Sequence, residues 1–219
     1  MTPAERRSRI LDGIAVASRL APRDPADVQL IAVSKSRTAD EIAPLIAAGQ
    51  RDFGESRVQE ALDKWPPLLA RHRDLRLHCI GRLQSNKAAE AVRLFDAIHS
   101  VDRTSLLDAL VQQAERADRR PALYVQVNIG TEDQKGGCAI GEVAVLVAAV
   151  RATPLPLAGL MCIPPLGLEP GPFFALLAKL ARQHGVTGLS MGMSADYKAA
   201  VMLGATAVRV GTALFEDDA

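Results

Sequence analysis

The 219-residue chain has 48% hydrophobic and 23% charged residues, ordinary proportions for a globular protein with a sizeable core. Its 26 basic and 25 acidic side chains leave a formal net charge of +1, so no strong field draws it to nucleic acid or an anionic membrane. The three cysteines, Cys79, Cys138 and Cys162, lie far apart without CxxC spacing, which argues against a disulfide framework or a zinc site.

The N-terminal stretch carries Glu5, Arg6, Arg7 and Arg9, so it holds no apolar run that could serve as a signal peptide. A helix is predicted over 3–20, ahead of everything else. No uncharged apolar segment reaches membrane-spanning length, and the expected location is the cytoplasm. Beyond it, short apolar runs alternate with longer amphipathic ones. Strands are predicted over 29–34, 50–53, 75–80, 97–100, 122–128, 157–161, 188–191 and 207–210. The intervening helices are predicted over 38–48, 56–71, 85–94, 105–117, 141–152, 171–184 and 195–203. Several strand runs are apolar throughout rather than alternating, as befits parallel strands covered on their outer face by helices.

Such an alternation allows an open doubly wound sheet or a closed (β/α)8 TIM barrel. The strand count favours the barrel, and so does the recurrence of polar and glycine residues after strand upon strand: Ser34–Lys35, Gly54–Glu55, Gly81–Arg82, Asp102 and Gly192 through Ser194. An open sheet concentrates such residues near one switch point, whereas a barrel gathers all strand ends around one mouth. The prolines from Pro154 to Pro172 mark stiff loops rather than a boundary, so residues 1–219 read as a single domain.

Three strand ends carry chemistry. Leu30 to Val33 is apolar and delivers Ser34 and Lys35 to the mouth. A lysine held among apolar neighbours loses hydration in its charged form, which frees its amine for carbonyl addition; position alone favours a surface lysine just past a strand end. Ser194 follows a strand and precedes a helix, where it can act as N-cap beside Gly192. Val208-Arg209-Val210-Gly211-Thr212 is again a strand ending in glycine and hydroxyl. Paired Gly and Ser/Thr groups on strands seven and eight resemble the phosphate cradle of such barrels. Arg209 faces either a carboxylate outside the barrel or a ligand within it. His78, alternating with Ile80, reads as a satisfied core histidine, and Ser85 and Asn86 read as helix caps. No Ser–His–Asp arrangement or metal-ligand cluster competes with the lysine and phosphate groups.

The ordered series Ala32-Val33-Ser34-Lys35, Phe53-Gly54-Glu55, Ile80 through Lys87, Ser100-Val101-Asp102, Gln126-Val127-Asn128, Gly159-Leu160-Met161, Leu189 through Asp196 and Val208 through Gly211 spans nearly the whole chain. It closely resembles the pyridoxal-phosphate homeostasis proteins, short relatives of the alanine racemase N-terminal barrel. The resemblance implies a cofactor, pyridoxal 5′-phosphate (PLP), held as a Schiff base on Lys35. It implies that Ser194, Arg209, Gly211 and Thr212 lie around the cofactor phosphate, with Asn86, His78 and Met161 lining the same mouth. The chain departs from the family at Ser56, where asparagine is usual, at Leu77, and in its Glu216-Asp217-Asp218-Ala219 ending.

An intracellular PLP carrier that buffers the aldehyde and passes it to apo-enzymes competes with a PLP-dependent amino-acid racemase. Racemisation needs a proton carrier on each face of the substrate α-carbon, and the chain offers only Tyr124 and Tyr197, neither an evident second base. The carrier is the expected function, and the monomer the expected state.

Overall fold

The computed structural model describes residues 1–21 and 23–216. Its strands, in chain order, are β1 (Gln29–Val33), β2 (Asp52–Glu55), β3 (Arg76–Cys79), β4 (Ala97–Val101), β5 (Ala122–Gln126), β6 (Leu157–Met161), β7 (Leu189–Ser190) and β8 (Ala207–Val210). All are parallel, and they close into a barrel in sequence order, with Gln29 to Ala32 of β1 paired to Ala207 to Val210 of β8. Parallel neighbours need long crossovers, which here are helical. The helices are α1 (Pro3–Leu20), α2 (Ala39–Ala47), α3 (Val58–Arg71), α4 (Ala88–Leu94), α5 (Thr104–Ala117), α6 (Val143–Arg151), α7 (Gly171–Gln183), α8 (Tyr197–Met202) and α9 (Thr212–Phe215). The architecture is therefore the expected (β/α)8 barrel preceded by one extra helix.

Local chemistry sets the element starts. Thr2 with Glu5, and Thr38 with Glu41, form reciprocal capping boxes that satisfy free N–H groups at the heads of α1 and α2. On α3, Val58, Ala61, Trp65 and Leu68 fall on one face at helical spacing and are buried. Trp65 is fully enclosed, its ring 5.1 Å from that of Phe53 on β2. Truncating such a side chain to alanine typically costs about 3–5 kcal/mol. The extra helix α1 packs beside α8, α9 and α2, and Arg6 Nε donates to Leu214 O at 2.9 Å. Among the described residues no helix is long and apolar enough to cross a membrane. Cys79 and Cys162 pack as small apolar side chains, and burial pushes each thiol up to about 12.

Two expectations need correction. The second strand covers Asp52–Glu55, two residues beyond the predicted 50–53. Gln50 lies outside it because its side-chain amide donates to Leu30 O and Asp52 O, each at 2.7 Å. Gly54 and Glu55 are its last rungs, paired with His78 and Cys79, rather than punctuation after it. The segment 85–94 is a 3-10 turn (Ser85–Lys87) followed by α4, and neither Ser85 nor Asn86 caps it through its side chain. Ser85 Oγ instead accepts from Arg103 at 3.2 Å.

Candidate functional site

The C-terminal ends of the strands surround a cavity of about 710 Å3 whose wall includes Val33, Lys35, Ile80, Ser194, Arg209, Gly211 and Thr212. Its first wall is the β1–α2 loop, which is anchored from beneath. Ser34 is fully buried, and its hydroxyl donates to Glu55 Oε1 at 2.7 Å. The same oxygen accepts from Trp65 Nε1 at 2.9 Å and pairs with Lys64 Nζ at 2.8 Å. Lys64 also donates to Ser34 O at 2.8 Å and Arg37 O at 3.0 Å, so one half-buried ammonium holds both ends of the turn. A buried carboxylate is tolerated only when it is paired in this way. In this turn Ser36 adopts a left-handed φ of +61°, beside the exposed Lys35.

Lys35 is exposed on the cavity wall rather than enclosed by apolar side chains, so the dehydrated setting expected for it is not met. Among the described residues its Nζ has no hydrogen-bond or ion-pair partner, which leaves it accessible from the cavity.

The opposite wall comes from β7 and β8. Gly192 turns the chain at φ +93°, where a Cβ would come within 2.5 Å of Ala200 Cβ, so only glycine fits. The turn carries Met193, Ser194 and Ala195 into the cavity wall. Ser194 does not cap α8, contrary to expectation: that helix begins at Tyr197, behind Asp196. Its hydroxyl instead accepts from the N–H groups of Gly211 and Ala213 at the long distances of 3.3 and 3.5 Å. Two backbone donors at the end of β8 thus converge on a single oxygen beside the hydroxyl-bearing Thr212.

Arg209 points into the barrel. It is 3% exposed, donates from one terminal nitrogen to Ser190 Oγ at 2.6 Å and from the other to Cys162 O at 2.9 Å, and lines the cavity. Among the described residues no carboxylate is bonded to it. Burial lowers its pKa from the ordinary guanidinium value, opposed by the field of Cys162, Asp196 and Tyr124.

Five of the residues singled out in the sequence therefore share this cavity: Lys35, Ser194, Arg209, Gly211 and Thr212. Three do not line it. Met161 is fully buried at the end of β6, two residues before Ile163, which does reach the wall. Asn86 is exposed on the turn after β3. His78 is buried inside the barrel, bonded to Asp52 and His99. Sequence reasoning missed Arg37 and Glu216, which form an ion pair at the rim, with Arg37 also 5.3 Å from the Phe215 ring centroid. Arg37 could have been found two residues from Lys35. Glu216 carried no local signal, because only the return of α9 over β1 brings it there.

Residues 8–218 match the family model described as alanine racemase, N-terminal domain. The pyridoxal phosphate homeostasis protein of Pseudomonas aeruginosa is 43% identical over 98% of this chain and 95% of its own length. The chain belongs to this family. The Escherichia coli member is 37% identical over 97% of this chain and 95% of its own. Among solved structures, PipY of Synechococcus elongatus, with PLP bound, is 41% identical, with a TM-score of 0.83 over 97% of this chain and 99% of that one. The matches cover the barrel end to end, so the cavity described above lies within the part shared with the homeostasis proteins.

Proposed function

We propose that this protein binds PLP in the C-terminal mouth of its barrel, held as a Schiff base on Lys35, and serves as a monomeric cytosolic carrier that buffers the cofactor and yields it to apo-enzymes. The observation that carries this reading is an exposed lysine on one wall of the cavity and, on the opposite wall, the Ser194 hydroxyl at which two backbone N–H groups are aimed. The residues present fit the group. Val33, Ile80 and Ile163 offer apolar surface to a flat ring, and 710 Å3 lies in the usual range for small-ligand sites.

When bound, PLP supplies an aldehyde that condenses reversibly with a primary amine. The remaining work falls to the chain. Lys35 offers the amine, and the Glu55–Lys64 anchor fixes the loop it stands on. The N–H groups of Gly211 and Ala213, with the hydroxyls of Ser194 and Thr212, offer neutral donors to a phosphate. Arg209 adds a fixed positive charge; set against the pyridine nitrogen, it disfavours protonation there and so weakens electron withdrawal from a bound amino acid.

The carrier reading is supported further by the two tyrosines. Tyr124 and Tyr197 are both buried, and burial raises both phenol pKa values. Neither lines the cavity, so neither stands where a second proton carrier for racemisation is needed. Equilibrating purified protein with PLP and comparing its visible absorbance with that of Lys35→Ala tests the proposal. The wild-type imine band is expected to be absent in the variant; an unchanged spectrum overturns the assignment.

A further inference from the structure

Behind Arg209 runs a continuous chain of hydrogen bonds through the barrel interior. Arg209 meets Ser190 Oγ at 2.6 Å, Ser190 Oγ meets His99 Nδ1 at 2.8 Å, His99 Nε2 meets His78 Nδ1 at 3.0 Å, and His78 Nε2 meets Asp52 Oδ1 at 3.2 Å. Every member is buried, with exposures of 0–8%. Asp52 stands at the opposite mouth, where Gln29 and Arg76 also bond it. The His99 ring is stacked on Tyr124 at 4.1 Å and 17°, which holds its plane.

Chemistry gives this chain one direction. A guanidinium can only donate and a carboxylate can only accept. Ser190 Oγ accepts from Arg209, and its other hydrogen-bond partner among the described residues is His99 Nδ1, so its hydroxyl hydrogen points there. His99 Nδ1 must then be bare and its hydrogen sit on Nε2, which makes His78 Nδ1 the next acceptor and His78 Nε2–H the donor to Asp52. A neutral His99 agrees with its surroundings: burial first, and then the charge of Arg209, lower its pKa well below the usual value. The competing arrangement, His78 as an imidazolium and His99 carrying Nδ1–H, strands the Ser190 hydroxyl hydrogen without an acceptor in a fully buried place.

We propose that His78 and His99 are positioning residues: through Ser190 they hold the buried Arg209 in its cavity-facing orientation, by a one-way hydrogen-bond chain that ends on Asp52 at the far mouth of the barrel. The part of this that concerns the cofactor rests on the PLP reading above. A guanidinium with no bonded carboxylate needs oriented acceptors to stay in place, and a polarised chain terminating on a carboxylate supplies them at a distance.

Two measurements test it separately. In cofactor-free protein labelled with 15N-histidine, NMR reads which ring nitrogen carries hydrogen. His78 and His99 are both expected as neutral Nε2–H forms; an imidazolium at His78 with Nδ1–H at His99 overturns the chain. In PLP titrations, Ser190→Ala and His99→Leu are expected to weaken binding about tenfold and to move the bound cofactor's absorbance band, with partial recovery in His99→Gln. Wild-type binding alongside unaltered affinity and absorbance in folded Ser190→Ala sinks the positioning role. Failure of the wild type itself to bind PLP sinks the carrier reading instead. Should His99→Leu fail to fold, Ser190→Ala and the histidine spectrum still decide.

Discussion

The two mouths of the barrel hold similar inventories of polar groups and use them differently. At the N-terminal mouth, Arg7, Gln50, Arg51, Asp52 and Arg76 line a depression of about 340 Å3. There most charges and amides are consumed by neighbours: Gln50 by Leu30 O and Asp52 O, Asp52 by Arg76 and Gln29, Arg51 by Asp74. At the C-terminal mouth Lys35 has no partner among the described residues, and the donors of Gly211 and Ala213 share one distant oxygen. Polar groups that satisfy each other make a seal. Groups left with unused donors make a site.

Variants at the two ends should therefore separate binding from stability. The largest effect is expected for Ser194→Ala combined with Thr212→Ala: loss of two hydrogen bonds to a charged group weakens PLP binding about a hundredfold, read by titration, with the melting temperature nearly unchanged. Equal affinity would mean that phosphate is held elsewhere. At the other mouth Gln50→Ala strands two buried carbonyls and should cost about 1–2 kcal/mol in urea unfolding while leaving PLP affinity intact.

Between the mouths, His99 predicts a pH response. Its folded pKa is lowered, first by burial and then by the charge of Arg209. Below its unfolded value of about 6.5 the unfolded chain takes a proton that the folded chain refuses. Its contribution to stability is thus full above about pH 6.5 and is lost as pH falls, by up to about 1.4 kcal/mol per pH unit. Unfolding curves of wild type and His99→Gln should diverge in slope over that acid range, and parallel slopes would show that His99 is not held neutral. The smallest effect belongs to the exposed Arg51–Asp74 pair, where Asp74→Ala should change stability by less than about 1 kcal/mol and binding not at all.

Most of the fold was legible because buried parallel strands are apolar throughout and their helices keep a 3.6-residue stripe. The errors fell where a polar residue's partner is remote in sequence. Glu55 reads as a loop carboxylate, but its pairing with Lys64 and Trp65 on α3 makes it the last rung of β2. Lys35, Gly211 and Thr212 were visible because they follow apolar runs directly. Ser194 was found on the right wall for the wrong local reason, helix capping. His99 lay inside a predicted strand and attracted no attention, since its links to His78, Ser190 and Tyr124 cross three strands and exist only once the barrel has closed.

The most direct test of the account is reduction of the PLP-loaded protein with borohydride, followed by mass spectrometry of its peptides. One pyridoxyl group is expected, on Lys35, with Lys64 and Lys135 unmodified. A modification on either of those lysines, or none after loading, would contradict it.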